Sequence, residues 1–381
     1  MGTLRHYTTI SAKVGGLSLG KRLTDGGATA SVFFIIDQHG VERVILMRDV
    51  PFVEEYRGGI LENVHNGIVC GVNEKGEVAY QAGDENHITL LRSAAKPFQA
   101  IPIAKRKIDE KFGLNSSEAA LFAASHRGEV YHMEGLESIL RKTGIREDEL
   151  LTCPTYPLNE EPKFACLSQG IEKRRLFHNC AGKHLGYLAL SKDQGYSTHD
   201  YYKAEHPAQQ EALEVFANLA DYPKEQVQLS VDGCGFPVFA LPLKNLAIAY
   251  LKLACPDLIE DRTTREAVES VTGWMTSSPE IIASHNFICT ALLMDENIIA
   301  KGGAMGVYGF ALKKERLSFA LKVLNGSELV WPLIIASILE QIQYDNQETI
   351  DRLHALAPKA IKNDNQLVVG EKRPVFVLNK C

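Results

Sequence analysis

The sequence predicts an α/β fold in which strands from both ends of the chain share one mainly antiparallel sheet and a mostly helical middle packs against it. Three observations carry this expectation. Short apolar runs punctuated by turn residues fill the chain before residue 90. Helical patterning dominates from about 94 to 280. Strand-like runs return from about 288 onward. A sheet built from distant segments with helices laid on it leaves a cleft between the two layers, a common place for small-molecule chemistry.

Residues 1 to about 30, rich in Gly, Ser and Thr, read as a loose lead-in. Apolar runs at 32–36 and 41–47 around Asp37-Gln38-His39-Gly40 predict a hairpin. Runs at 68–72 and 78–81 around Asn73-Glu74-Lys75-Gly76 predict a second. Helices follow at 94–104, with Pro97 in the first turn, at 117–124, and at 131–142, stopped by Gly144. Further helices are expected at 183–191, 207–219 and 241–253. Thr263-Thr264-Arg265-Glu266 is a capping-box pattern opening a helix to about Met275. Strands are expected at 288–294, 297–301, 307–312 and 319–323. Asn325-Gly326-Ser327 then introduces a final helix, 328 to about 343, that closes the chain. This divides the chain into an N-terminal extension, 1–50, holding the first hairpin, and a main domain, 51–381.

A chain of 381 residues buries a sizeable core, and its 45% hydrophobic and 23% charged content is ordinary for a soluble globular protein. A net charge of −6 with scattered lysines and arginines argues against a nucleic-acid partner. No apolar run approaches the length of a membrane span, and residues 1–20 lack the apolar core of a secretory signal. The eight cysteines, without framework spacing, then read as reduced thiols of a cytoplasmic protein; a Cys153–Cys166 disulfide is the weaker reading.

Two short runs carry chemistry. In Arg92-Ser93-Ala94-Ala95-Lys96, Ser93 and Lys96 stand at i and i+3, on one face of a helix. Serine attacks only when something takes its proton, and a lysine does so when burial or nearby positive charge lowers its pKa. Ser93 also reads as a helix N-cap. The two roles are compatible, because a helix N-terminus offers amide donors to a developing oxyanion. A second hydroxyl, Ser125, follows a buried-looking helix in Ala124-Ser125-His126-Arg127-Gly128; its plain reading is a helix-exit residue. Serine enzymes of the β-lactamase type add a Lys-Thr-Gly on a strand lining the site. The literal match, Lys142-Thr143-Gly144, sits at a helix end, where capping explains it. Lys301-Gly302-Gly303, after a predicted strand, is the better candidate, and reads equally well as a strand-ending turn.

In the second run, His178-Asn179-Cys180-Ala181-Gly182-Lys183-His184, Cys180 and Lys183 are three apart, and Cys234 lies in the turn Asp232-Gly233-Cys234-Gly235. Thiolates from two loops suit a soft metal such as zinc, with His178 or His184 the ordinary third ligand. Without a Cys-x-x-Cys pair, the residues by themselves favour two buried cysteines acting as small hydrophobes.

These pieces occur in order with Arg57-Gly58-Gly59-Ile60-Leu61-Glu62-Asn63-Val64-His65 before them and Cys289-Thr290 after them. Together they resemble the L-asparaginases of the Rhizobium etli type, the asparaginase II protein family. The resemblance runs from about Tyr56 to about Gly326. It implies a fold like that of the serine glutaminases and β-lactamases. It implies hydrolysis of L-asparagine to L-aspartate and ammonia by two Ser–Lys pairs, Ser93 with Lys96 and Ser125 with Lys301. It implies zinc on Cys180, Lys183 and Cys234, which reverses the reading of those cysteines as hydrophobes. It also implies that Arg92, His184 and Asp232 grip the charged ends of a small amide substrate, and that the protein is a homodimer. The chain departs from the family at Ala283-Ser284-His285-Asn286-Phe287, where a glycine-rich stretch is usual, and at Ala181, where serine is usual. Its first fifty residues have no counterpart. The same scaffold also admits glutamine, a β-aspartyl compound or a cyclic amide as substrate, or a non-catalytic, zinc-bound amino-acid-binding protein.

Overall fold

The computed structural model describes residues 49–381 in full and, before them, the backbone of the strands Thr8–Thr9, Leu17–Asp25, Ala28–Ile36 and the start of Glu42–Arg57. The main sheet runs, side by side, through Leu17–Asp25, Ala28–Ile36, Glu42–Arg57, Ile60–Val72, Leu317–Val323, Val307–Leu312 and Ile298–Gly303, every pair antiparallel. Ile60–Val72 is therefore a junction. It pairs with its sequence neighbour Glu42–Arg57 on one side and with Leu317–Val323, from the far end of the chain, on the other. Two further strands extend the sheet. Val78–Ala82 pairs with Ile60–Val72, and Val368–Pro374 pairs with the outer part of Glu42–Arg57.

The C-terminal strands Ile298–Gly303 and Val307–Leu312 are buried at every residue, so they read as continuous apolar runs rather than as alternation. The helix Leu243–Ala254 lies across these strands and closes the sheet's inner face. The helical body is built around Lys96–Lys105, which packs on Arg262–Ser277, Pro207–Leu219 and Ala181–Gln194. A small second sheet, Ile88–Leu90, Pro237–Pro242 and Gln228–Val231, joins the two bodies. The expected layering of a mainly antiparallel sheet and a helical middle is what the chain adopts.

Several elements differ from expectation. The 17–25 stretch is strand rather than loose lead-in. The hairpin expected at 32–47 is present as Ala28–Ile36 against Glu42–Arg57, while its turn at 37–41 lies outside the described residues. Ile288–Leu293 is a helix, not a strand; all six residues are buried, so the run has no polar face from which a period is legible. The Arg262–Ser277 helix is capped by Asp261, whose carboxylate accepts from the Thr264 amide at 2.8 Å, rather than by Thr263. Nor does a helix close the chain. After Trp331–Gln341 and Gln347–Leu356 it returns to strand at Ala360–Lys362, Val368–Pro374 and Asn379–Lys380. These late strands carry charged side chains and a proline, as sheet edges do, and lack an apolar run to announce them. All eight cysteines are unpaired thiols. Among the described residues no helix is long and apolar enough to cross a membrane.

Candidate active site

Three of the expected residues meet where the sheet abuts the helical body. Lys96 opens the helix Lys96–Lys105 and is fully buried. Its amine donates to the Ala124 carbonyl at 2.6 Å, the Asn179 carbonyl at 3.2 Å and Ser125 Oγ at 3.1 Å. Lys301 reaches the same hydroxyl from the strand Ile298–Gly303, at 3.0 Å, and also donates to the Gly302 carbonyl at 2.7 Å. Ser125 leaves the end of the helical segment after Ser116–Ala120, and its amide is held by the Ile282 carbonyl at 2.8 Å. One hydroxyl thus sits between two buried amines. Burial lowers the pKa of Lys96, and it pushes Lys301 down to about 8 with help from the neighbouring Lys96 and Arg127 charges. Lys301 in this state exchanges its proton at about pH 8.

Ser93 lies one turn before Lys96 in the short 3-10 segment Arg92–Ala95. It is half-buried, and Lys96 spends its amine on Ser125 and two carbonyls instead. Ser93 is not the cap of the following helix either, since that position is Ala95. The turn is strained: Arg92 has φ of +48°, the left-handed region that side chains with a Cβ disfavour. Its guanidinium is anchored by Asp232, with Nε and Nη2 each 2.8 Å from Oδ1. Asp232 also caps its own turn through the Gly233 amide at 2.8 Å. Arg92 and Asp232, each expected to grip substrate, therefore grip each other.

The strand bearing Lys301 is pressed against this turn. A Cβ on Gly303 would lie 2.4 Å from the Leu91 carbonyl oxygen and 2.7 Å from the Ala94 amide nitrogen, so only glycine lets the two backbones approach. The Tyr250 hydroxyl ties them together, within 2.8 Å of the Ala94 carbonyl and 3.2 Å of the Lys301 carbonyl.

The sulfur cluster sits behind Lys96. Cys180, Lys183 and Cys234 are all buried. The Cys234 thiol hydrogen-bonds the Cys180 sulfur, which holds Cys180 well below the usual thiol range, helped by the Lys96 charge. The same bond, with burial, pushes Cys234 up. Burial acts to lower Lys183, but the Cys234 and Cys180 sulfurs outweigh it and raise it. Its amine lies 4.4 Å from the centre of the Phe236 ring. Among the described residues no three His, Cys, Asp or Glu side chains come together as a metal site. Two thiols and a lysine amine form a smaller, mixed set. Its chemistry suits zinc, and one buried nitrogen nearby, His184 Nε2, has no hydrogen-bond partner. His184 itself is completely buried, its Nδ1 2.7 Å from the Tyr201 hydroxyl and its pKa driven far down by burial. His178, the other histidine of the run, accepts the Cys180 amide on Nδ1 at 3.1 Å.

Residues 53–374 match the family described as L-asparaginase II. The chain belongs to the L-asparaginase II family. Membership supports an amidohydrolase of the asparaginase/glutaminase type. No curated protein matches the chain. Similar solved structures include Mglu in its native form, at 17% identity and TM-score 0.41 over 73% of this chain and 61% of that one. A Mycobacterium bovis β-lactamase is similar at 12% identity and TM-score 0.37, over 72% and 94%. A Bacillus glutaminase is similar at 12% identity and TM-score 0.35, over 74% and 92%. The matched part spans less than two thirds of the Mglu chain.

Three contributors to this candidate site were given no role in it from the sequence. Tyr250 lies in the helix Leu243–Ala254, where its hydroxyl is the polar group among the buried side chains. Cys289 accepts the Gly302 amide and the Tyr308 hydroxyl on its sulfur, both at 3.3 Å, beneath the Lys301 strand. The Asn179 contribution is a backbone carbonyl, which no side-chain pattern advertises. The rejected Lys142 makes a helix-end ion pair with Glu118 at 2.7 Å, away from these residues. A cavity of about 920 Å³ beside Lys105, Arg106, Glu211 and Lys252 holds none of the site's members.

Proposed function

We propose that the protein hydrolyses a small linear amide, L-asparagine in the first instance, to the carboxylate and ammonia by serine–lysine chemistry. The observation that supports this best is Ser125 Oγ between the amines of Lys96 and Lys301, with Ser93 one turn of chain before Lys96. In this reading Ser93 attacks the amide carbon and its proton passes to Lys96 once that amine has given up a proton and turned from one of its present acceptors. Backbone amides at the strained turn hold the oxyanion. The carbon–nitrogen bond breaks as Ser125, recharged by Lys301, protonates the leaving nitrogen, and ammonia departs. Water then attacks the acyl ester, the acid is released and Ser93 recovers its proton. Lysines with lowered pKa values suit these transfers at neutral pH.

Arg92, Asp232 and His184 line or support the substrate's end of this cleft in the same reading. Cys180, Lys183 and Cys234 are the residues that would hold zinc, which when bound supplies positive charge for orienting a substrate carboxylate or amine. The homodimer and the cytoplasmic location belong to the proposal as well. Light scattering of the purified protein tests the assembly.

The deciding experiment is ammonia release by purified protein from L-asparagine, L-glutamine, a β-aspartyl peptide and a cyclic amide. Turnover of asparagine with Ser93→Ala inactive is the expected result. Tight asparagine binding with no ammonia from any amide would replace the hydrolase with an amino-acid-binding protein.

A further inference from the structure

Arg127 is a charged residue that the proposed mechanism does not use. It stands two positions after Ser125, and its guanidinium carbon lies 4.1 Å from the centre of the Phe287 ring. That ring belongs to the 283–287 segment, just before the helix Ile288–Leu293. The Nε is buried and has no hydrogen-bond partner, and the guanidinium finds no carboxylate to pair with among the described residues. Its charge is felt at Lys301, at Cys289 beneath the Lys301 strand, and at Glu328, which stands outside salt-bridge distance. The contrast with Arg92 is instructive. Arg92 stands next to Ser93 in sequence, yet Asp232 occupies two of its nitrogens.

A half-buried guanidinium without an acceptor is costly to maintain. The aromatic shelf fixes its plane, and a planar fork with open donors matches a carboxylate. Arg127 holds its charge near the Lys301 amine, and among the described residues no carboxylate lies within salt-bridge distance of it, which leaves its fork open to a ligand carboxylate.

We infer that Arg127, seated on Phe287, receives a free carboxylate of the substrate and so restricts the enzyme to amides that carry one. The inference rests on the amidohydrolase reading above and adds the class of substrate. Arg127 is a binding residue in this account and donates no proton to the reaction.

The test is equilibrium titration of wild type, Arg127→Lys and Arg127→Met with L-asparagine and with L-asparagine amide, whose carboxylate is capped. Ammonia release is measured in parallel, and thermal unfolding checks that each variant is folded. Arg127→Met is expected to weaken L-asparagine binding by about 10- to 100-fold, the range for one charged hydrogen-bonded contact. It should leave the capped amide unchanged, and Arg127→Lys should recover part of the loss. An equal loss for both ligands, or no loss for L-asparagine, overturns the inference. Phe287→Leu supplies a second arm: a folded variant with undiminished carboxylate discrimination also counts against it. The two proposals fail separately. Absence of ammonia from every amide removes the hydrolase, whereas carboxylate discrimination is read from binding alone.

Discussion

The Lys301 amine donates to Ser125 Oγ at 3.0 Å across 176 positions of chain. Only the pairing of the C-terminal strands against Ile60–Val72 brings that amine to the helical body. If the contact carries protons to the leaving nitrogen, Ser125→Ala should lower kcat by about 10²- to 10⁴-fold, the usual worth of a positioned acid–base group. Ser93→Ala should abolish ammonia release. Both are read from steady-state kinetics, and wild-type turnover by the Ser125 variant would end the relay role.

The Lys301 amine also sets a pH dependence. Its pKa lies near 8, against an ordinary 10.5, because burial penalises the charged form. The charged amine that recharges Ser125 is lost as pH rises through about 8, so kcat/KM should fall between about pH 7 and 9. The sign for stability follows from proton counting. Between about 8 and 10.5 the unfolded chain binds more protons at this site than the folded one, so this residue's contribution to stability grows with rising pH across that window. A kcat/KM profile that is flat from about pH 7 to 9 contradicts the assignment.

Gly303→Ala should be disproportionately harmful. The added methyl would meet backbone atoms of Leu91 and Ala94, which cannot rotate away. We expect a loss of about 1–3 kcal/mol in denaturant unfolding. Ammonia release should fall further than the folded fraction, because the turn carrying Ser93 is what moves. Gly273→Ala is the control. It sits exposed in the helix Arg262–Ser277 with nothing within 4 Å of the new methyl, and should be neutral or stabilising by up to about 1 kcal/mol.

Purified protein should hold about one zinc per chain when metal is supplied, by elemental analysis, if two thiols and an amine form a complete ligand set. Cys180→Ser and Cys234→Ser should each lose it, while Cys255→Ser, buried elsewhere, should keep it. Retention of stoichiometric zinc by both cluster variants would separate the metal from these sulfurs.

How much of this was legible follows from what each signal depends on. Ser93 and Lys96 stand in a short run whose spacing draws notice on a helix, whereas Cys180 and Lys183 read as packing until the resemblance gives them a role. Ser125 and Lys301 do not point to each other, because their meeting depends on strand order and not on local pattern. Ile288–Leu293 reads as strand for want of a polar face, and Val368–Pro374 escapes notice because an edge strand dresses in charge. Arg127 looks like a surface arginine until Phe287 appears beneath it.

The junction strand Ile60–Val72 has a consequence for synthesis. Its partner Leu317–Val323 emerges late from the ribosome, so the growing polypeptide must carry an unsatisfied hydrogen-bonding edge through most of its translation. Lys301 arrives on the adjoining strand in the same late stretch. Nascent copies therefore hold both serines without the second amine. They are vulnerable to sticking to one another until the C-terminal strands are made.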